Sequence, residues 1–189
     1  YWPLSLLAVG VLFWVLADVT PRSAAIAGWA FGVGKYCVGA SWIYVSIHDY
    51  VFAPFWLAGS LVALFVAGMA LFPAAFAYVY ARFLRGGGDF GRAIAFSSCW
   101  ALFEWILTWF LTGFPWLFLG YAQIDNPLRH WAPVGGVLLV SLIAAWSAAL
   151  IVIALRSGRL RRWRSMTIAT ALALSPWLLG LGLGQVRWV

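Results

Sequence analysis

Long stretches without charged residues alternate along this chain with short segments that carry arginine. Most of the stretches reach the roughly 20 apolar residues that a membrane-spanning helix needs. They lack the two-residue alternation of a half-buried β-strand, so the pattern predicts helices rather than a closed barrel. The first stretch is shorter than this length, so its helix is either tilted or cut at its start. The six predicted helices lie near 2–17, 23–44, 54–81, 93–111, 134–156 and 165–184.

The composition excludes an ordinary soluble domain. Hydrophobic residues make up 65% of the 189 residues, charged residues 9%, and the mean hydropathy is +0.95. A typical globular chain has about 25% charged residues, so this chain cannot cover a surface that faces water. We therefore expect an all-α, polytopic membrane bundle that forms a single domain over 1–189. Because the chain begins at Tyr1 on an apolar stretch, we also expect it to be a piece of a longer protein.

The basic residues predict the orientation of the bundle. Three loops on one side of the six-helix chain hold nine of the twelve basic residues. Positively charged loops remain in the cytoplasm, so 45–53, 112–133 and both chain ends are expected on the outer side. The nine residues are Arg22, Arg82, Arg85, Arg92, Arg156, Arg159, Arg161, Arg162 and Arg164.

The arginine cluster between 156 and 164 also bears on the choice of partner. A net charge of +7 is compatible with nucleic-acid binding until the charges are located. They lie in a short connection between two predicted spans, and not on a broad folded surface. The cluster is typical of a topology signal with some attraction to anionic lipid, and we expect no nucleic-acid partner.

The segment 112–133 is the most informative part of the predicted outer side. Gly113, Pro115 and Gly120 interrupt any helix there. A non-helical segment at membrane depth persists only where it is buried or lines a cavity, which favours a substrate cavity. An aromatic belt at the headgroup level is the open alternative. The aromatic and polar residues expected at this level are Trp42, Tyr44, His48, Asp49, Tyr50, Phe114, Trp116, Phe118, Tyr121 and Trp131.

Four reactive or ionisable residues lie inside the predicted spans. Glu104 is near the middle of its span, and a carboxylate there needs a partner unless it is protonated. Lys35 has a similar predicted depth, so the two are candidates for an ion pair. Cys37 and Cys99 have no activating neighbour, and we expect both to be buried packing residues.

The chain contains no recognisable catalytic set or cofactor motif. His48 and Asp49 are adjacent, and adjacent residues do not face one another on a helix. No group of histidines, cysteines or carboxylates has metal-ligand spacing, and no serine lies on a nucleophile elbow. We therefore expect no metal, no cofactor and no catalytic residue within this chain.

Two long motifs resemble the bacterial apolipoprotein N-acyltransferase family. They are SWIYVSIHDY at 41–50 and FLTGFPWLFLGYAQIDNPL at 110–128. The surrounding features agree in order: WP near the start, WxxxE from Trp100 to Glu104, and AP-x-GG at 132–136. The resemblance runs along the whole chain.

This resemblance implies an enzyme of the bacterial inner membrane. Such an enzyme moves an acyl chain from a phospholipid to the N-terminal amino group of a diacylglyceryl-cysteine lipoprotein, through a thioester on a cysteine. A Glu-Lys-Cys set in a periplasmic nitrilase-like domain performs the chemistry. The chain would match the second to seventh spans of an eight-helix bundle, and the nitrilase-like domain would follow Val189.

The expected role of this chain is therefore to bind and position lipid substrates in the bilayer. Lys35 departs from the family pattern, which has an apolar residue there. The residues that match family positions or lie beside them at the outer level are Trp42, Tyr44, His48, Glu104, Phe114, Pro115, Trp116, Gly120 and Tyr121.

Two other functions remain open on the sequence. A small-solute transporter, or its substrate-binding subunit, would also have about six spans and a cavity beside broken helices. A transporter of this kind usually has internal repeats, and none is visible here. A purely structural membrane anchor predicts that the segment around Pro115 tolerates substitution.

Overall fold

A computed structural model describes residues 2–187 of the chain, except for the side chain of Leu111. Within that part the chain forms helices and turns without a β-strand, which confirms the predicted all-α class. Four short 3-10 turns lie between the sixth and seventh α-helices. The α-helices are α1 (Trp2–Val15), α2 (Pro21–Gly39), α3 (Trp42–Val45), α4 (Phe55–Met69), α5 (Leu71–Val79), α6 (Asp89–Ile106), α7 (Ala132–Arg159) and α8 (Trp163–Leu183).

Three helical segments among the described residues are long and apolar enough to cross a membrane. They are Phe55–Leu84, Pro127–Arg159 and Trp163–Leu183. The helix Trp2–Val15 is apolar but shorter. Helices also occupy the predicted positions near 23–44 and 93–111. The prediction of about six spans is therefore not confirmed in number and stays a prediction.

Two of the predicted helices have different bounds in the structure. Instead of continuing to 44, α2 ends at Gly39, and the short α3 and a π-helical turn over Ser46–Tyr50 follow it. The stretch predicted as one helix over 54–81 is divided at Ala70. Pro73 explains this division, because it has no N–H for the carbonyl of Met69, four residues earlier, and its ring crowds that carbonyl.

The chain divides into two compact units. We call Asp18–Arg82 the α2 unit, and Tyr1–Ala17 together with Phe83–Val189 the α7 unit. The prediction of a single domain over 1–189 stays a prediction.

In the α2 unit, α2 packs closely along α5 through glycines. A side-chain Cβ at Gly28 would meet the carbonyl of Pro73, and one at Gly32 would lie 2.8 Å from the Cα of Ala70. The buried residues of α2 follow one another at four-residue intervals, from Ala24 to Tyr36. Helix backbones approach this closely only where small residues allow it.

The prediction that both cysteines are buried is wrong for Cys37. Cys99 is buried on α6, but Cys37 is exposed. Its position after Tyr36 explains this, because one residue along a helix turns the side chain by about 100° away from the buried face.

In the α7 unit, α7 is the central helix and packs against α1, α6 and α8. Small residues such as Ala144, Ala145 and Ala148 bury its faces. Helix α8 contains Pro176, which cannot donate to the carbonyl of Leu172. The hydroxyl of Ser175 donates to that carbonyl instead, at 3.1 Å, so the helix continues past the proline with its backbone satisfied.

Candidate functional site

The connection between α6 and α7 departs from the α-helical conformation around Gly113, Pro115 and Gly120, as the sequence predicted. Its 3-10 turns cover Phe110–Thr112, Pro115–Leu117, Leu119–Gln123 and Pro127–Trp131. We call residues 107–131 the docking loop. Gly113 has a φ of +85°, and a Cβ there would collide with the carbonyl of Thr108, so only glycine fits this turn.

Glu104 holds the docking loop to α6. Its side chain is 4% exposed. Its Oε1 accepts hydrogen bonds from Trp100 Nε1 at 2.9 Å and from the backbone N–H of Leu119 at 2.8 Å. The WxxxE spacing places Trp100 and Glu104 one helical turn apart, so both can reach the loop from one face. Glu104 lies two residues before the end of α6 and not near its middle, because the helix ends at Ile106 instead of 111.

Gly120 brings the docking loop against α7. Its N–H donates to the hydroxyl of Ser141 at 2.7 Å. A Cβ at Gly120 would collide with the carbonyl of Val137 and lie 3.0 Å from Ser141 Oγ. The absence of a side chain therefore sets how closely loop and helix approach. Sequence reasoning predicted Gly120 but missed Ser141, although a hydroxyl on a buried apolar helix face is itself a signal of a polar partner.

Buried amides fasten the docking loop to α1. Gln123 Nε2 donates to Ser5 Oγ at 3.0 Å and to the carbonyl of Leu119 at 3.2 Å. Its Oε1 accepts from Asn126 Nδ2 at 2.7 Å, and Asn126 Oδ1 accepts from the N–H of Leu128. This pattern caps the turn that starts at Pro127. Sequence reasoning missed Ser5 and Gln123, whose partners lie far apart in the chain.

The far end of the docking loop lies on α8. Trp131 Nε1 donates to the carbonyl of Pro176, and His130 Nδ1 donates to that of Gly180, both at 2.9 Å. A Cβ at Gly180 would collide with the carbonyl of Pro127. Gly180 and Gly184 thus permit the close packing of α8 against this loop.

Aromatic side chains lie on the exposed surface of the docking loop. Trp116 is 66% exposed and Tyr121 is 52% exposed. The Tyr121 ring stacks on that of the buried Phe118, with centroids 6.0 Å apart and planes within 8°. Phe114 and Pro115 are half-buried. Buried hydrogen bonds thus hold the loop to the helices, while aromatic rings that can contact an apolar ligand remain accessible.

The other predicted site residues lie in the α2 unit. Tyr44 and His48 are one helical turn apart, with ring centroids at 5.4 Å. His48 Nδ1 donates to the carbonyl of Ala53 at 2.8 Å, which closes the turn after the π-helical residues. Trp42 is exposed and Tyr44 is half-buried. The structure thus brings Tyr44 and His48 together in this unit, and Glu104 and Gly120 in the α7 unit.

Among residues 2–187, no group of three or more histidine, cysteine or carboxylate side chains is placed to hold a metal ion. The docking loop instead offers aromatic surface and a backbone that hydrogen bonds hold to α6, α7 and α1. Such an arrangement can bind and orient an apolar or amphipathic molecule.

Comparison with known sequences assigns the family. Residues 1–150 match the family described as apolipoprotein N-acyltransferase N-terminal domain. The chain belongs to this family. The predicted resemblance is confirmed.

Named members of the apolipoprotein N-acyltransferase family match nearly the whole chain. The protein of that name from Pseudomonas syringae pv. tomato is 44% identical over 190 residues, which cover 100% of this chain and 37% of the relative. The one from Azotobacter vinelandii is 44% identical, with 99% and 36% covered. The one from Vibrio cholerae is 33% identical, with 100% and 36% covered. The chain therefore spans a little over a third of the length of these relatives.

Proposed function

We propose that this chain is the membrane part of an enzyme that transfers an acyl chain from a phospholipid to the N-terminal amino group of a diacylglyceryl-cysteine lipoprotein. The transfer passes through a thioester acyl-enzyme, and the Glu-Lys-Cys set that forms it belongs to a nitrilase-like domain outside this chain. Family membership supports the reaction class. The transporter alternative has no comparable support.

Within that enzyme, this part binds and positions the lipid substrates. The observation that carries this proposal is the hydrogen bond from Leu119 to the buried Glu104. A carboxylate in an apolar helix bundle is costly, so it is retained where it holds something in place. Glu104 and Gly120 position the docking loop, while Phe114, Pro115, Trp116 and Tyr121 contact lipid. In the α2 unit, Trp42, Tyr44 and His48 are the proposed lipid contacts.

The physics of lipid substrates explains why a fixed loop is needed. Both substrates reach the enzyme laterally through the bilayer. Burying each CH₂ group yields about 0.8 kcal/mol against water, but the bilayer already provides this gain. Tail burial therefore adds little affinity, and discrimination has to come from headgroup contacts and from orientation of the reacting ester and amine. Amphipathic rings on a fixed loop provide both.

Removing the exposed indole of the docking loop tests this function. We expect Trp116→Ala in the full-length enzyme to lower acyl transfer roughly tenfold, the effect of losing about 1.4 kcal/mol of positioning. Protein level and melting temperature should stay near those of the parent, because the side chain is mostly exposed. The assay is transfer to a diacylglyceryl lipopeptide in phospholipid micelles.

Trp163→Ala is the matched control, since this indole is 62% exposed in the same unit but lies outside the docking loop. It should leave acyl transfer unchanged. Equal losses in both variants, or losses that only follow protein level, would favour an aromatic belt over a lipid-positioning loop.

The proposed location is the bacterial inner membrane, with 45–53, 112–133 and both chain ends on the periplasmic side. The arginine distribution supports this orientation. Single cysteines at three exposed positions test it, in a full-length background from which other reactive cysteines are removed. Asp125→Cys should react with a membrane-impermeant maleimide added to intact cells, while Gly87→Cys and Leu160→Cys should react only after lysis. The reverse pattern would contradict the orientation.

A further inference from the structure

An apolar groove runs between α1 and α7. Its volume is about 440 Å³, within the usual range of ligand pockets. Residues from both helices line it, and one of them, Gly10 of α1, lies against Val152 of α7. Nearly all of its lining is aliphatic or aromatic. The principal lining residues are Trp2, Leu6, Val11, Trp14, Ile151 and Leu155.

The groove is apolar along its length but charged at one end. Arg156 and Arg159 are its basic lining residues, and they lie one helical turn apart near the end of α7. At the other end of α1, Ser5 is bonded to Gln123 of the docking loop. Near the arginine end, Arg85 Nη1 donates to the carbonyl of Leu16, just past α1. The basic end is therefore the one remote from the docking loop.

The length of the groove corresponds to one leaflet of a bilayer. From Ala148 to Arg159, α7 rises by about 17 Å at 1.5 Å per residue. The hydrocarbon core of a bilayer is about 30 Å thick, so one leaflet contributes roughly half of it. An acyl chain that lies in the groove would place its headgroup beside the two guanidinium groups.

We propose that this groove binds an anionic phospholipid of the leaflet that faces the arginine-rich connection. One acyl chain lies between α1 and α7, and the phosphate accepts hydrogen bonds from Arg156 and Arg159. Guanidinium groups match phosphate oxygens in both charge and geometry. This site lies at the opposite end of α7 from the docking loop, so it goes beyond the proposed acyl transfer.

Selection at this site depends on the headgroup and not on the tail. Every bilayer lipid has an apolar tail, so the groove cannot distinguish lipids by tail burial. Each arginine near an anionic headgroup improves binding about fivefold, which gives roughly thirtyfold for two. A phosphatidylglycerol, with a net negative charge, should therefore bind more tightly than a zwitterionic phosphatidylethanolamine.

Native mass spectrometry of the full-length protein tests the proposal. The protein is exposed to equal amounts of phosphatidylglycerol and phosphatidylethanolamine in detergent. The parent should retain phosphatidylglycerol in preference, and R156Q/R159Q should lose that preference by at least about tenfold, a conservative fraction of the two-arginine effect. R161Q/R162Q is the matched control, because it removes the same charge from the same connection outside the groove lining, and it should retain the preference.

A second variant separates the apolar groove from the charge. Val11→Trp fills the groove and leaves both arginines in place, so it should also lose phosphatidylglycerol without a change in melting temperature. Excess glycerol phosphate should not displace the lipid from the parent, whereas displacement would show a simple phosphate site. Equal loss in both double-arginine variants would overturn the proposal. So would a parent that retains neither lipid, as expected if another transmembrane segment or a second copy fills the groove.

Discussion

Glu104→Leu in the full-length enzyme is expected to remove nearly all acyl transfer, because it releases the docking loop from α6. The substitution leaves Trp100 Nε1 and the N–H of Leu119 without their shared acceptor, Oε1. Each unsatisfied buried donor costs about 1–3 kcal/mol. The sum of about 2–6 kcal/mol corresponds to a fall in activity of at least roughly thirtyfold if the loop must be docked for transfer. The melting temperature in detergent should fall as well.

Glu104→Gln is the conservative control, since its carbonyl oxygen can still accept both hydrogen bonds. It replaces Oε2 with an amide NH₂ of similar size, so activity should fall by roughly tenfold at most and stability only slightly. A Glu104→Leu protein with parental activity would show that the loop does not depend on this anchor. The predicted pairing of Glu104 with Lys35 stays a prediction, and recovered stability in K35L/E104L would support it.

The helical class could be predicted because it depends on local composition. Charge-free stretches of this length cannot be placed in water, and in lipid their backbones have to bond internally. The bounds were less predictable, since they depend on single residues. The division at Ala70 follows from Pro73, which the hydropathy pattern does not reveal. Because α6 ends at Ile106 and not at 111, Glu104 lies near the end of this helix and not near its middle, where it was expected.

The candidate site was predictable where glycine and proline, through their backbone conformations, interrupt an α-helix. Gly113 and Pro115 predict a break in the α-helix, and the structure has short 3-10 turns there instead. The partners of that segment were not predictable. Ser5 bonds to Gln123 across 118 residues, and the approach of Gly120 to Ser141 depends on how α7 packs. Such contacts are fixed by tertiary packing, for which a single sequence has no local signal.

Gly120→Ala should have the second largest effect, because the docking loop has no space for a methyl group. The new Cβ would collide with the carbonyl of Val137 and lie 2.8 Å from that residue's Cγ2. The backbone has to move, and overpacking of this kind costs about 1–3 kcal/mol. Movement of the loop also weakens the bond from the Gly120 N–H to Ser141. We expect acyl transfer by the full-length enzyme to fall roughly tenfold or more.

Gly182→Ala is the matched control for that variant. Gly182 lies on α8 with open space around it, so a methyl group there touches nothing and raises helix propensity by up to about 1 kcal/mol. This variant should keep parental activity and a melting temperature at or above that of the parent. Ser141→Ala separates the effect of overpacking from that of the lost hydrogen bond, because it removes the acceptor of the Gly120 N–H without adding volume. If Ser141→Ala is as damaging as Gly120→Ala, the hydrogen bond is the main anchor. Parental activity in Gly120→Ala would instead mean that acyl transfer by the full-length enzyme does not require the loop to dock closely on α7.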